Sequence, residues 1–322
     1  MRSAFVQTDN PNPHVRRGRE IIKRHPDVRR YFKPYPLSGA YITAIVALQL
    51  GIAYALRDAH WGWVILAAYL VGAFASHALF VLIHDATHDL ITRRRLPNRL
   101  FGILCNVGQG FPSAMSFRTY HLLHHFHLDE YDYDADLAFD WEARLVGTSP
   151  VRKAVWLFLF AAVEVVRPLR IKRPFTDAWV LANTAVIVIT DLLIWRVGGA
   201  SGLAYVLLST AVGVGLHPVG ARWIQEHYTF HEGQETYSYY GILNAIQFNI
   251  GYHNEHHDLA KVPWIDLPKV RAMAPEFYDH LHHHRSWTRV LLQFLFDPKI
   301  DLFARITRGR APHQANREAA VA

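Results

Sequence analysis

The sequence predicts an all-α integral membrane protein: four transmembrane helices in two hairpins, with a cytoplasmic helical cap holding a histidine-rich di-metal site. Three observations carry this. Four apolar runs are each long enough to cross a hydrocarbon core of about 30 Å with little tilt. Of the 34 Lys and Arg residues, all but Arg57 and Arg196 fall outside the two hairpins and so on one side of them. Histidine is in excess, 21 in 322 residues, and gathers in short clusters near the membrane exits. The composition agrees, with 51% hydrophobic and only 19% charged residues. Aromatics at 13% and the absence of repeats exclude disordered and fibrous classes. The single cysteine, Cys105, excludes an internal disulfide framework and a Cys-based zinc ribbon.

In chain order, residues 1–36 form a polar, basic segment rich in arginine (Arg16, Arg17, Arg19, Arg24, Arg29, Arg30), with no signal-type apolar core behind Met1. The first hairpin has spans at about 41–57 and 61–83, and Trp61 and Trp63 suit the interfacial aromatic belt. Residues 84–177 are mixed, with polar motifs and two semi-apolar stretches, around 100–117 and 154–166, expected to lie at the interface. The second hairpin has spans at about 178–196 and 202–220, joined by a Gly-rich turn. Residues 84–177 and 221–322 make the cap, so 37–322 reads as one membrane domain. Lys and Arg mark the cytoplasmic side of a membrane protein. The net charge of +7 is thereby explained by orientation, without nucleic acid. If the apolar runs were instead buried helices of a soluble bundle, the charge sorting would be a coincidence.

Three histidine clusters stand in the cap or at its border: His84 and His88 in HDATH, His121, His124 and His125 in HLLHH, and His253, His256 and His257 in HNEHH. Spacings of i, i+3 and i+4 stack side chains on one stripe of a helix, as ligation from a helix requires. Eight imidazoles are too many for one metal and suit two. Without a thiolate set, iron–sulfur and structural zinc sites are excluded; imidazole suits zinc, copper, iron and nickel. Zinc has no redox chemistry, and a His-rich dinuclear site beside a bilayer points to iron and O₂. Asp85, Asp89, Glu255 and Asp258 read as acceptors that orient the imidazoles. His227 is a candidate ninth donor. His77 and His217 read either as polar residues hydrogen-bonded between helices or as further donors. The His280–His284 run matches the spacing but lies far from any span and reads as a decoy. His14, His25, His60, His127, His231 and His313 carry no motif and read as surface residues. The acidic run at 129–142 reads as a solvated loop or as part of a lid over the metals.

These boxes resemble those of membrane fatty-acyl desaturases and hydroxylases, and more closely those of the sphingolipid Δ4-desaturases. The resemblance runs almost end to end, through TDNPNPHVRRGREIIKRHPDVRRYFKPYP, SFRTYHLLHH, GLHPVGARWIQEHYTF, ETYSYYG and NIGYHNEHHD. It implies four spans with both termini cytoplasmic and two iron ions ligated by the eight box histidines. It also implies a further histidine after the last span, His227 or failing that His217. The first box departs from animal members, which carry Glu and Asn in place of Asp85 and Asp89. The chemistry implied is O₂-dependent introduction of a trans C4–C5 double bond into the sphingoid chain of a dihydroceramide-type lipid. No side-chain acid or base can remove hydrogen from an alkane, so a metal must supply the oxidising power while the protein supplies positioning and a dry cavity. Glu235, Thr236, Tyr237 and Ser238 are candidate headgroup contacts. The chain carries neither a haem-binding His-Pro-Gly-Gly segment nor a dinucleotide fingerprint. Electrons are therefore expected in trans, from a carrier such as cytochrome b5 or a ferredoxin docking on the basic face. Rival readings are a C4-hydroxylase, a desaturase of ordinary acyl lipids, and a His-rich metal transporter; the last would need polar residues inside several spans, where only Asp191 is acidic.

Overall fold

The computed structural model describes residues 2–171 and 176–309; His313 lies outside the described residues. Among the described residues, three helices are long and apolar enough to cross a membrane: α2 (Leu37–Ala55), α3 (Trp61–Thr87) and the run Ala178–Gly213, here α9. Their outward faces are bare hydrocarbon, with Leu181, Val188, Ile189, Leu192, Leu193 and Trp195 exposed. Such a surface is stable only in lipid. The helix Trp61–Thr87 contains one π-helical turn, Ala68–Gly72. There Gly72 lets the second half of α9 approach closely, since a Cβ would collide with Ser209.

Three expectations are refined or corrected. The run Ala178–Gly213 is helical except at Gly199 (φ 66°, ψ −173°), so the break expected near 198–202 is a single left-handed glycine. The last predicted span also stops early, at Gly213 rather than 220, because Gly215 packs against the Leu157 carbonyl and Pro218 has no N–H to continue a helix. The semi-apolar stretch 100–117, expected at the interface, is instead largely packed inside. It contributes α4 (Arg95–Gln109), which inserts against α2, α3 and α9, with Gly108 giving clearance to Val46 and Leu79. Polar clamps pin it there. Asn106 receives a hydrogen bond from Asn183 (2.9 Å), the Gln109 side chain donates to the Ser76 carbonyl (2.9 Å), and Thr210 donates to the Gln109 carbonyl (2.7 Å). In an apolar environment these groups have no water to turn to, so each pairing strongly specifies register.

The cap is built from short helices: α5 (Ala114–Phe126), α6 (Asp140–Val146), α7 (Pro150–Phe158) and α8 (Phe160–Val166), then α10 (Arg222–His227), α11 (His253–Asp258), α12 (Leu267–Met273) and α13 (Trp287–Phe296). A core of Trp156, Phe160, Ile224, Tyr228, Trp287 and Phe294 holds α7, α8, α10 and α13 together. The N-terminal helix α1 (Pro13–Arg24) closes over α11, where Gly18 allows contact with the Asp258 carbonyl. A parallel pair, β1 (Val6–Thr8) with β2 (Ile306–Arg308), ties the two ends of the described chain and is an addition to the all-α expectation.

Candidate metal centre

The first box sits on the last turn of α3 and the linking residue, the second on α5 and the third on α11. The three elements meet beneath α1, and the imidazoles do not form one stripe. They divide into two groups. His84, His88, His121, His125 and His256 turn ring nitrogens toward one point; His124, His227 and His257 toward another. His253 joins the second group, its Nε2 2.9 Å from that of His227. A helix advances about 100° per residue, so residues i+3 and i+4 diverge on either side of residue i. Hence His121 and His125 share a group while His124 crosses to the other. Likewise His253 and His257 share one, and His256 crosses.

Within the first group the Nε2 atoms crowd together: His88 to His121 is 3.0 Å, His121 to His125 3.1 Å and His125 to His256 3.1 Å. In the second, His124 and His227 Nε2 are 3.2 Å apart. The groups adjoin, with the His125 and His257 rings stacked at 4.2 Å. Buried His257 Nε2 has no hydrogen-bond partner among the described residues. Neutral imidazoles converging in this way leave lone pairs facing one another, an arrangement that a cation relieves. The donor set therefore fits two metal ions held by imidazole nitrogens.

Electrostatics agree. Burial first, then Arg118, pushes His88 down to about 3. Burial and neighbouring imidazoles hold His121, His125, His227, His256 and His257 well below the usual histidine range. These rings are thus neutral at physiological pH, as ligation requires. His124 is the exception. Burial lowers it, but Asp134 and Asp136 outweigh burial and push it up to about 9.

The acceptors behind the imidazoles differ from those expected. Asp134 accepts from His124 Nδ1 at 3.0 Å, and Glu226, held by Arg222 at 2.8 Å, lies 3.3 Å from His253 Nδ1. Burial would raise Glu226, but Arg222 and His253 bring it down to about 2. Of the four acids singled out in the sequence, Asp85 alone faces a box histidine, 4.0 Å from His84 Nδ1. Asp89 takes a left-handed conformation (φ 57°) and ends the first-box helix: Leu90 N–H bonds to the Asp85 carbonyl and Asp89 N–H to that of Ala86. Its carboxylate pairs with Arg118 (2.9 Å), which also donates to the Ala86 and Thr87 carbonyls and so couples the first box to the second. Glu255 accepts from Ser238 and Tyr240 instead.

Asp258 accepts from Arg17 at 2.6 Å and holds His14 Nδ1 at 2.7 Å. His14 is accordingly buried, not a surface residue, and its ring packs 4.9 Å from that of His257. His77 pairs with Gln247 (2.6 Å), and His217 packs against Tyr69 and Phe74; neither joins the imidazole groups. The 280–284 run also stands apart, with His282 stacked on His231. Nothing in the spacing of the acidic run marked Asp134; its position ten residues past His124 was the one available signal.

The fatty acid desaturase family model matches residues 59–293. The chain belongs to this desaturase family. It is 39% identical over 309 residues to the sphingolipid delta(4)-desaturase/C4-monooxygenase of Bos taurus, covering 95% of each chain. Against the sphingolipid delta(4)-desaturase of Homo sapiens it is 39% identical over 307 residues, 94% of each. The relative of that name in Drosophila melanogaster is 38% identical over 309 residues, 95% of this chain and 96% of its own. The family is di-metal dependent and membrane-integral, in keeping with the two imidazole groups and the apolar helices.

Two cavities reach the imidazoles of this desaturase. One, of about 380 Å³, lies between the cap and the membrane helices; it is mostly apolar, lined by Phe80, Phe117, Val180, Leu181, Val214 and Trp223, and ends on His121. The other, of about 520 Å³, opens beside His88 and His125 and is rimmed by Arg95, Arg99, Arg118 and Lys261. The expected headgroup contacts line neither. Glu235 is bound bidentately by Arg308, Thr236 bonds to Asn254, Tyr237 OH donates to backbone carbonyls and Ser238 donates to Glu255. Of the four, Thr236 and Ser238 brace the third box, through Asn254 and Glu255.

Proposed function

We propose that this chain is an O₂-dependent sphingolipid desaturase that introduces a trans C4–C5 double bond into dihydroceramide-type lipids. The observation that carries the reading is the apolar cavity ending on His121, a channel of suitable character for an alkyl chain abutting a di-metal donor set. The names of the relatives at 38–39% identity supply the regiochemistry. Two irons are the metals whose redox chemistry suits an all-imidazole set beside a membrane; when bound they supply the O₂-dependent oxidising power. The nine ligands are His84, His88, His121, His124, His125, His227, His253, His256 and His257. The chain's own contributions are to hold His88, His121, His125, His227, His256 and His257 neutral, to orient His124 and His253 through Asp134 and Glu226, and to exclude water from the alkyl chain with Phe80, Phe117 and Trp223. Overall the substrate loses two hydrogens, and O₂ with two further electrons and two protons leaves as water. The printed name of the Bos taurus relative carries a C4-monooxygenase activity as well, so hydroxylation at C4 is the second reading.

The membrane topology proposed is four crossings in two hairpins. Asn183 and Thr210, both in α9, bond at Asn106 and Gln109, one turn apart on α4. A straight helix would hold them about 40 Å apart, which supports a reversal at Gly199. The Gly199 backbone stands beside Arg57, so the two hairpin turns, with the two excluded basic residues, share one end. The metal centre, with the rest of Lys and Arg, is then cytoplasmic. The basic rim of the second cavity, next to His88 and His125, suits docking of an acidic carrier such as cytochrome b5 or a ferredoxin.

The test is expression in a host lacking sphingolipid unsaturation, fed dihydroceramide, with lipids analysed by mass spectrometry. Loss of two hydrogens supports desaturation, and gain of one oxygen supports hydroxylation. A folded His124→Ala protein that desaturated normally would sink the ligand assignment. Docking at the rim predicts that Arg118 aside, Arg95→Glu with Lys261→Glu slows donor reoxidation several-fold at low salt, the difference shrinking as ionic strength rises.

A further inference from the structure

Two carboxylates stand on the wall of the apolar cavity, and only Asp136, through its charge on His124, has entered the account above. Asp136 and Glu164 both line it, in company with His121. Asp136 Oδ2 lies 3.7 Å from His124 Nδ1, and the side chain is 24% open. Among the described residues its carboxylate makes no hydrogen bond. Glu164 is held from behind by Arg167 at 2.7 Å and is 28% open. Arg167 cannot swing away, because it is buried and also bonds to Glu142 at 2.8 Å and to the Asp136 carbonyl at 2.9 Å. One guanidinium therefore holds the Glu164 carboxylate and the Asp136 main chain on the same wall.

A channel for hydrocarbon alone has no use for acids. An acid facing an alkyl chain stays desolvated without compensation, whereas a ligand bringing O–H or N–H groups offsets that cost. Oxidation at C4 decides where such groups must be. In a sphingoid base C1 and C3 carry hydroxyls and C2 the amide nitrogen, so every donor lies within three carbons of the reacting position. The headgroup has to sit beside the metal centre, not at a remote membrane surface. Asp136 lines the cavity beside His121 and stands next to His124, whereas the Glu235–Ser238 segment lines neither cavity.

We propose that Asp136 and Glu164 anchor the amino-diol headgroup, accepting hydrogen bonds from its hydroxyls and amide N–H, and thereby select which carbon faces the metals. This inference rests on the sphingolipid reading. Both acids are positioning residues: they fix the register of the chain and leave the chemistry to the centre. A hydrogen bond contributes several-fold to about tenfold in binding, more where the acceptor is charged. Burial pushes Glu164 up to about 8 despite Arg167, so the headgroup hydroxyls should matter by about tenfold in kcat/KM.

The experiment compares dihydroceramide with its 1-deoxy and 3-deoxy analogues on wild type, Glu164→Gln and Asp136→Asn, with iron content and product double-bond position measured on each. Wild type is expected to discriminate against at least one analogue by about tenfold or more, and the variants to lose that discrimination with KM raised more than kcat is lowered. Iron should stay at the wild-type level in Glu164→Gln, and products should spread from C4–C5 to neighbouring positions. Wild type that turns over all three lipids alike overturns the anchor while leaving the sphingolipid reading intact, and needs no variant to fold. Variants that keep iron and full discrimination overturn it as well. Wild type that fails to convert dihydroceramide at all overturns the reading and the anchor together.

Discussion

The two imidazole groups differ in what stands behind them. The four-histidine group is backed by carboxylates: Asp134 on His124 Nδ1 at 3.0 Å and Glu226 on His253 Nδ1 at 3.3 Å, the latter clamped by Arg222. The five-histidine group has only Asp85, 4.0 Å from His84 Nδ1, and lies between the apolar cavity at His121 and the basic one at His88 and His125. A carboxylate on the remote ring nitrogen fixes the tautomer and makes the imidazole a stronger donor. A metal held by the four-histidine group would thus be electronically reinforced, while one held by the five-histidine group would be left weaker and open to both cavities. Two ions in one centre need not be equivalent, and this fold supplies the asymmetry through what lies behind the rings.

The most severe way to break that comparison is to remove one imidazole from each side. His256→Ala and His253→Ala should each reduce turnover to background and lower iron from about two per chain toward one. The double variant should approach none. Equal loss of both irons from either single variant would show that the groups do not bind independently. A smaller effect separates the backing. Asp134→Asn should cost about 10- to 100-fold in metal affinity or activity, the range for such partners, whereas Asp85→Asn should cost several-fold at most. Iron titration and kcat on the two proteins check the ordering.

The mildest probe is pH. In the folded, metal-free protein His88 is held near 3 and His14 near 4, and His121, His125, His256 and His257 also sit below the ordinary value near 6.5. Between the folded and ordinary values the unfolded chain binds more protons, so these groups contribute stability that is present above pH 6.5 and lost as pH falls. His124, raised to about 9 by Asp134 and Asp136 against burial, works the other way: its contribution is full below 6.5 and disappears as pH rises through 9. The Tm of chelator-treated protein in detergent should therefore drop on acidification below 6.5, fall more gently between 6.5 and 9, and level off above 9. Asp134→Asn should shrink the alkaline limb, with Asp136 sustaining the rest.

Much of the centre was legible because helical spacing is local. Boxes with residues at i, i+3 and i+4 declare their helices, and eight of the nine converging histidines carry that mark. His227 was reached only through its place before the third box. His14 was misread, since a lone histidine near a basic terminus gives no sign that α1 will fold over α11 and seat it on Asp258. The acids were the hardest to read. Asp89 sits beside a box histidine yet serves the helix end and Arg118, while Asp134, ten residues from His124, does the orienting. Adjacency in sequence aims consecutive helical side chains about 100° apart, so the neighbour of a ligand is poorly placed to support it.

By itself, then, the amino-acid order determined the membrane class, the side on which charge gathers and the identity of the clustered imidazoles, because composition and helical period are properties of short stretches. Tertiary structure alone decided how those imidazoles divide into two groups, that α4 inserts among the long helices, and that Asp134, Glu226, Asp136 and Glu164 face the centre or its cavity. These depend on side chains meeting from separate elements, some a hundred or more residues apart, and such meetings are set by packing and by the pairing of buried polar groups, which no local pattern encodes.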